Sequence, residues 1–447
     1  MMEKAILTPL EHWIEEKIGL ADGLSREAIA AYQLEMLNVT LDRVLRYSPF
    51  YRQHLAQAGL KAIYRLDDMA AYPFTTADDV RRYAAQMLCV SQSEINRVVT
   101  LHTSGTTGDP KRLYFSRADQ ELTIDFFRCG MSTLTKAGDK VLILLPGERP
   151  GSVGDLLAKA LERSGVLSVL YGLVAQPLQA VEVMRREEAT CLVGVPVQVL
   201  AMARCWEQQG GNGWRPQQIL LSTDHVPQIV AQELKRIWHC EVYAHYGMTE
   251  MGLGGGIECA AQSGYHLREA DLYFEIIDPF SLRPVPDGEY GELVFTTLTR
   301  QGMPLIRYRT GDLSRFIIEP CPCGSKLRRL ERVRSRIDGI ASLTNTHEIT
   351  MADLDEALFA LPEVVDFSAQ LTDKGMMLLK LVVTIRPDAV SFDERIVLRS
   401  LRQLDPIRST EQEGNLSLAV EIIRQWSIAF GKRSIAVAKE RACGAFE

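Results

Sequence analysis

No stretch of this 447-residue sequence is apolar for long enough to cross a membrane. The opening residues, MMEKAILTPLEHWIEEK, break every apolar run with charge, so no secretory signal core is expected there either. A basic surplus is missing too. Against 57 Asp and Glu stand 50 Lys and Arg, a formal net charge of −7, which makes nucleic acid an unexpected partner. A disulfide framework is also absent: the nine cysteines are scattered and odd in number, and only Cys321 and Cys323 lie close together. There is no internal repeat and no low-complexity run. A reducing cytoplasm is the expected setting, with no membrane partner.

What is present is bulk and rhythm. At 447 residues and 46% hydrophobic, the chain is long for a single core, and two or more domains are expected. Residues 26–46 carry Leu34, Leu37, Leu41 and Val44 at helical spacing and stop at Tyr47-Ser48-Pro49. From residue 140, short apolar runs (KVLILLP, VLSVLYG, CLVGVP, QILLST, EVYAHYG) alternate with amphipathic helical segments near 151–165, 176–189, 197–209 and 227–239. That alternation predicts a mostly parallel sheet with helices on both faces, and ligands in such sheets bind at the carboxyl ends of the strands.

After about 270 the sequence turns β-rich (DLYFEIID, GELVFTTL), divided by the turn-forming RPVPDGEYG. Past about 335 it reads as a small α+β domain. Its elements are a helix at MADLDEALFAL, two strands around Asp373-Lys374-Gly375, one helix over SFDERIVLRSLRQL, a strand at NLSLAVEII and a tail. The expected fold class is α/β. A large domain over 1–335 combines mostly parallel sheets with a β-rich subdomain, and a small mobile α+β domain covers 336–447.

The segment Thr103-Ser104-Gly105-Thr106-Thr107-Gly108-Asp109-Pro110-Lys111 has two glycines that let backbone approach a phosphate, and hydroxyls that can donate to one. It lacks the Gly-Lys-Ser/Thr ending of the strand-loop-helix nucleotide-binding loop. On composition alone it would serve equally as a solvated turn. It resembles, however, the phosphate-binding loop of the superfamily that contains acyl-CoA synthetases, peptide-synthetase adenylation domains and luciferases.

Three further motifs follow in that family's order. Tyr246-Gly247-Met248-Thr249-Glu250 comes directly after a predicted strand; the resemblance implies Mg²⁺ on Glu250 and the α-phosphate on Thr249. In Tyr308-Arg309-Thr310-Gly311-Asp312, the Asp312 carboxylate is implied to accept from both ribose hydroxyls. Ser335-Arg336-Ile337-Asp338 is similar to the family's Gly-Arg-x-Asp hinge, with Ser where the family has Gly; Arg336 is expected at the nucleotide and Asp338 at the hinge. Ser222-Thr223-Asp224 resembles the loop that lines the adenine site. Gly431-Lys432-Arg433 resembles the segment whose lysine, here Lys432, stabilises charge on the α-phosphate, although the preceding Ile428-Ala429-Phe430 lacks the usual Pro-Arg-Thr.

Finer likeness points to the phenylacetate-CoA ligase branch, through Ser48-Pro49-Phe50-Tyr51, Gly291-Glu292-Leu293-Val294 and Pro304-Leu305-Ile306-Arg307-Tyr308-Arg309. The resemblance implies ATP- and Mg²⁺-dependent activation of a carboxylic acid, an aryl acid by the branch, to an acyl-AMP. Transfer to CoA would follow, with a separate acyl-carrier protein as the runner-up acceptor. CoA is preferred because the chain ends at the small domain. A non-catalytic nucleotide- or acyl-binding homologue is the alternative of a different class. Lys111, Glu250, Thr249 and Lys432 are the expected catalytic residues, and His245, Phe126, Phe127 and Tyr171 the candidates to pack against the acid. Cys259, His266, Cys321 and Cys323 could together hold a structural zinc ion; two free thiols in a turn, a core cysteine and a surface histidine are the other reading.

Overall fold

The computed structural model describes residues 6–20, 23–56, 59, 62–101, 110–333, 335–373 and 375–439. They divide into two compact units, one of Met1–Asp139, Pro146–Leu170 and Tyr243–Val333, the other of Lys140–Leu145, Tyr171–Val242 and Arg334–Glu447. Among the described residues no helix is long and apolar enough to cross a membrane.

In the first unit the long entry helix runs Arg26–Tyr47. The Ser25 hydroxyl accepts from the Ala28 N–H at its start, and Ile29, Leu37, Leu41 and Val44 form its buried stripe. Ser48 ends it before Pro49, and Pro49–Ala56 begins a new helix. The strands Ile95–Leu101 and Lys111–Ser116 pair antiparallel, with Leu101 opposite Lys111, so they bracket residues 102–109. The strands Leu272–Ile277, Gly291–Thr297 and Tyr308–Ser314 form an antiparallel meander. From Tyr246 onward the short strands Gly256–Glu258, Tyr265–Leu267 and Arg329–Leu330 also add antiparallel, with Ile257 opposite His266 and His266 opposite Arg329.

Two branch-level motifs that lie far apart in sequence meet in this unit. The Tyr51 hydroxyl accepts from the Ile306 N–H at 3.1 Å and sits 3.1 Å from the Thr75 hydroxyl. Next to it, Arg307 is 1% exposed and holds a positive φ of 46°. Its guanidinium donates to both Glu275 oxygens, at 2.9 and 3.1 Å, and to the carbonyls of Ala70 and Tyr72 at 3.0 and 2.6 Å, and it stacks 4.0 Å from the Phe74 ring. Burial pushes the Glu275 carboxyl up, and Arg307 pulls it back.

The second unit contains the expected parallel strands, with Lys140–Leu144 beside Cys191–Gly194 and Cys191–Gly194 beside Gln218–Leu221. They alternate with the helices Pro196–Gln208 and Gln228–Trp238. Pro227 precedes the second of these helices and has no side-chain acceptor to cap it; instead Glu356 accepts from the Gln228 and Ile229 N–H groups at 2.5 and 2.9 Å. Buried Arg204 likewise donates to the carbonyls of Phe359, at 2.5 Å, and Val364.

The C-terminal portion has strand order Leu416–Arg424, Met377–Ile385, Val364–Asp373, Ile435–Lys439, its central pair antiparallel and both outer pairings parallel. The helix Met351–Phe359 starts with a Thr350/Asp353 capping box. Two details differ from the sequence expectation. The helix expected over 391–404 is present as Glu394–Leu401, and an unexpected second helix, Asp405–Gln412, follows it, with Pro406 in its first turn, where proline fits. The tail contains the strand Ile435–Lys439, whose short stretch of small apolar residues signals a strand only once Val364–Asp373 offers it an edge.

Arg307→Ala would strand the Glu275 carboxylate in the core. It is expected to lower stability by about 3–5 kcal/mol, measured by denaturant unfolding, whereas Arg315→Ala, at the surface, should leave the unfolding midpoint nearly unchanged.

Candidate active site

The strand that ends at Tyr246 runs into a tight turn closed by a one-turn helix, Thr249–Met251. Gly247 is required there, since a Cβ would lie 2.5 Å from the Leu253 carbonyl oxygen. The turn leaves the Glu250 carboxylate 2% exposed, where it needs partners. The Lys111 ammonium, from the first residue of the strand Lys111–Ser116, contacts Glu250 Oε1. The Tyr308 hydroxyl stands 3.3 Å from the same oxygen and 3.2 Å from Lys111 Nζ. Arg300 fastens the backbone behind them, donating to the Glu250 carbonyl at 2.8 Å and the Tyr114 carbonyl at 3.1 Å, with its guanidinium 4.4 Å from the Phe115 ring. The structure therefore brings together Lys111 and Glu250, which are 139 positions apart in the chain. Thr103, Ser104, Gly105, Thr106, Thr107 and Gly108 lie outside the described residues.

Asp312 lies within the strand Tyr308–Ser314 and is buried. The Tyr246 hydroxyl donates to its Oδ2 at 2.7 Å, joining two of the motifs, and the Thr310 hydroxyl receives the Asp312 N–H at 3.0 Å. Around His245, the rings of Phe126 and Phe127 lie 6.1 Å away. Phe126 is 1% exposed and packs on its other sides against Trp13, at 6.1 Å, and the Arg268 guanidinium, at 4.8 Å. Gly254 packs closely against this cluster, since a Cβ there would come within 2.3 Å of Phe126 and 3.2 Å of His245 Nε2.

In the second unit, Ser222 and Thr223 follow the strand Gln218–Leu221. Thr223 holds a φ of 74°, a strained conformation for a β-branched residue that costs about 1–3 kcal/mol and is found most often at functional loops. Asp224 is pushed up by burial; the His225 N–H, 2.9 Å from its Oδ1, and the charges of Arg433, His225 and Lys432 pull it back. Lys432 thus lies within electrostatic reach of Asp224. Arg336 Nε donates to Asp338 Oδ1 at 3.1 Å, so the residue expected at the nucleotide pairs with the one expected at the hinge. The Tyr171 N–H donates to the Ile143 carbonyl at 3.0 Å, and partial burial raises its phenol.

In the first unit the donor atoms of Cys259, His266, Cys321 and Cys323 all lie within 4.8 Å of one another, and all four residues are buried. Cys259 Sγ is 3.6 Å from Cys321 Sγ, and Cys323 Sγ is 3.5 Å from His266 Nε2. A tetrahedral zinc ion with Zn–S near 2.3 Å needs ligand separations of about 3.8 Å, so the set fits. Hydrogen bonds from Cys259, His266 and Cys321 draw the negative charge to the Cys323 sulfur, lowering its thiol to about 3, while the Cys259 and Cys321 thiols are raised.

Tyr308 and Arg300 hold this site together without a local sign of it in the sequence: the role of the Tyr308 hydroxyl appears only where it meets Glu250 and Lys111, and a buried arginine after an apolar strand does not show what it will hold. For His245, burial lowers the imidazole to about 4. The folded state therefore favours neutral His245, and this contribution to stability is present above the unfolded value near 6.5 and lost as pH falls through about 4. An NMR titration is expected to show no His245 transition between about pH 5.5 and 8.

With this geometry in hand, residues 51–299 match the family model described as AMP-binding enzyme. The phenylacetate-coenzyme A ligase of Pseudomonas putida is 30% identical over 354 residues, 75% of this chain and 74% of that one. Its counterpart from Thermus thermophilus is 29% identical over 359 residues, covering 76% and 78%. A 2-hydroxyisobutyryl-CoA ligase in the postadenylation state, in complex with 2-HIB-AMP, superposes with a TM-score of 0.77 over 93% of this chain and 89% of that one, at 22% identity, a likeness of fold alone. The chain belongs to the AMP-binding enzyme family of adenylate-forming proteins, in its phenylacetate-CoA ligase-like branch.

Proposed function

We propose that this protein activates a carboxylic acid with ATP to an acyl-adenylate and transfers the acyl group to CoA. The observation that carries the reading is the meeting of Lys111 and Glu250, on the strand that leaves the 102–109 segment and in the turn after Tyr246. The names of the relatives support the acceptor and the class of acid: phenylacetate-coenzyme A ligases argue for CoA and an aryl acid. His245, with the rings of Phe126 and Phe127 beside it, is the proposed wall against the ring.

The first step is in-line attack of the substrate carboxylate on the α-phosphorus, with pyrophosphate leaving; the protein's task is to position the groups and stabilise charge. Asp312, oriented by the Tyr246 hydroxyl, accepts from the ribose hydroxyls. Residues 103–108 and Lys111 hold the phosphates, Thr249 contacts the α-phosphate and Lys432 neutralises the charge developing there. Ser222, Thr223 and Asp224 line the adenine, with Arg336 nearby.

Glu250 is the residue that would hold Mg²⁺, because a single buried carboxylate plus phosphate oxygens is a donor set magnesium takes, with Lys111, which contacts Glu250 Oε1, turning to the phosphates. Bound there, the ion would add charge stabilisation at the phosphates. In the second step the small domain, 336–447, turns about Asp338 and the CoA thiolate attacks the acyl carbon, releasing AMP. Zinc at Cys259, His266, Cys321 and Cys323 is proposed as structural, since four protein ligands leave no open position for chemistry.

Pyrophosphate release with ATP, Mg²⁺ and a panel of aryl and aliphatic acids, with and without CoA, tests the reading. At least one aryl acid should turn over, CoA should accelerate product formation, and Lys432→Ala should lower kcat for adenylation by about 10²–10³. An absence of pyrophosphate release with every acid would refute it. Metal analysis of the purified protein should find zinc at about one ion per chain, and Cys323→Ser should abolish it and lower Tm. A metal-free protein of unchanged Tm would refute the zinc site.

A further inference from the structure

Lys432 sits in a loop whose two ends are tied to one buried carboxylate. Asp366, in the strand Val364–Asp373, accepts through Oδ2 from the Ala429 N–H at 3.0 Å and through Oδ1 from Arg433 Nη1 at 2.5 Å. Arg433 Nη2 donates to Asp355 Oδ1, on the helix Met351–Phe359, at 2.7 Å. The same guanidinium lies 4.4 Å from the Phe367 ring centre and 5.1 Å from that of Phe359. Outside these contacts, Ile428 and Ile435 are buried at 7% and 8% exposure. Between them Gly431 turns the chain with a φ of 128°, open to glycine and strained for other residues. The outcome is a sharp change of environment between neighbours: the Arg433 side chain is 12% exposed, and Lys432 before it is exposed.

We propose that Arg433, held between Asp355 and Asp366, is a positioning residue that fixes the 429–433 loop so that Lys432 is presented for adenylation. The proposal rests on the reading of Lys432 given above. A guanidinium suits the task because its fork is planar and rigid and can face two carboxylates and two aromatic rings at once, which an ammonium on a flexible stem cannot. Asp355 reports the same dependence: burial lifts its carboxyl to about 7 even with Arg433 pulling it down, so without Arg433 the cluster of Asp224, Asp355 and Asp366 would lose its buried cation.

Two variants of the full chain test this, Arg433→Lys, which keeps the charge and loses the fork, and Asp366→Asn, which keeps the shape and loses the charge. The first readout needs no substrate. Hydrogen exchange followed by mass spectrometry should show the amides of 429–434 exchanging about fivefold faster in both variants, with the strand Met377–Ile385 unchanged. The second readout uses phenylacetate and synthetic phenylacetyl-AMP. The kcat of pyrophosphate release should fall by about tenfold to a hundredfold at unchanged KM for ATP, while CoA thioester formation from phenylacetyl-AMP stays within about twofold.

Unchanged loop exchange in both variants would overturn the clamp, as would an equal fall in both half-reactions, the mark of a merely structural role. Lys432→Ala is the control that separates the two readings. If it leaves adenylation intact, the lysine assignment falls and takes the clamp's purpose with it; if it abolishes adenylation while the two clamp variants do not affect it, the clamp alone falls.

Discussion

Burying the Glu250 carboxylate carries a desolvation cost, and the surrounding first-unit residues are arranged to offset it. Three groups from distant parts of the chain converge on the turn: the Lys111 ammonium, the Tyr308 hydroxyl, and the Arg300 guanidinium on the backbone carbonyl. Lys111 and Tyr308 are each placed by a strand whose register is set elsewhere, Lys111 by its pairing opposite Leu101 and Tyr308 by its pairing opposite Phe295. A slip of one residue in either strand would turn these side chains to the opposite face. The meander, the hairpin and the turn after Tyr246 are therefore mutually dependent through one carboxylate.

Buried charge also organises other parts of the two units. Arg307 binds Glu275 and two carbonyls in the first unit, and in the second Arg204 binds the carbonyls of Phe359 and Val364 while Arg433 bridges Asp355 and Asp366. In each case a planar guanidinium satisfies several acceptors at once, which limits the cost of its burial. The carbonyls held by Arg204 and Arg307, of Phe359, Val364, Ala70 and Tyr72, lie at or near the ends of helices and strands, where backbone carbonyls lack ladder partners. The three cysteines and one histidine perform a related task with softer atoms, joining Cys259 and the strand Tyr265–Leu267 to the Cys321-Pro322-Cys323-Gly324 turn.

Much of this was legible before any coordinates. The alternation from 140 to 246 determined the parallel strands Lys140–Leu144, Cys191–Gly194 and Gln218–Leu221, because fully buried strands must be apolar throughout and their crossover helices amphipathic. The Glu250 carboxylate in its glycine turn and the Cys321-Pro322-Cys323 knuckle were legible as well, since each needs particular residue types within a few positions. The sequence left open whether Cys259 and His266 join that knuckle, and the fold brings all four together.

What tertiary structure alone decided is who partners whom at long range. Nothing local to Arg300 or Arg433 says which carbonyl or carboxylate it will hold, and nothing in Ile435–Lys439 marks it as a strand until an edge is offered. Pro227 leaves the helix Gln228–Trp238 without a side-chain cap, and the cap comes from Glu356, 128 positions away. Sequence determines the local conformation and the apolar faces through short-range sterics and periodicity. The partner of a buried charge is set by which segments the closed chain brings within about 3 Å of it, a distance that no spacing along the sequence encodes.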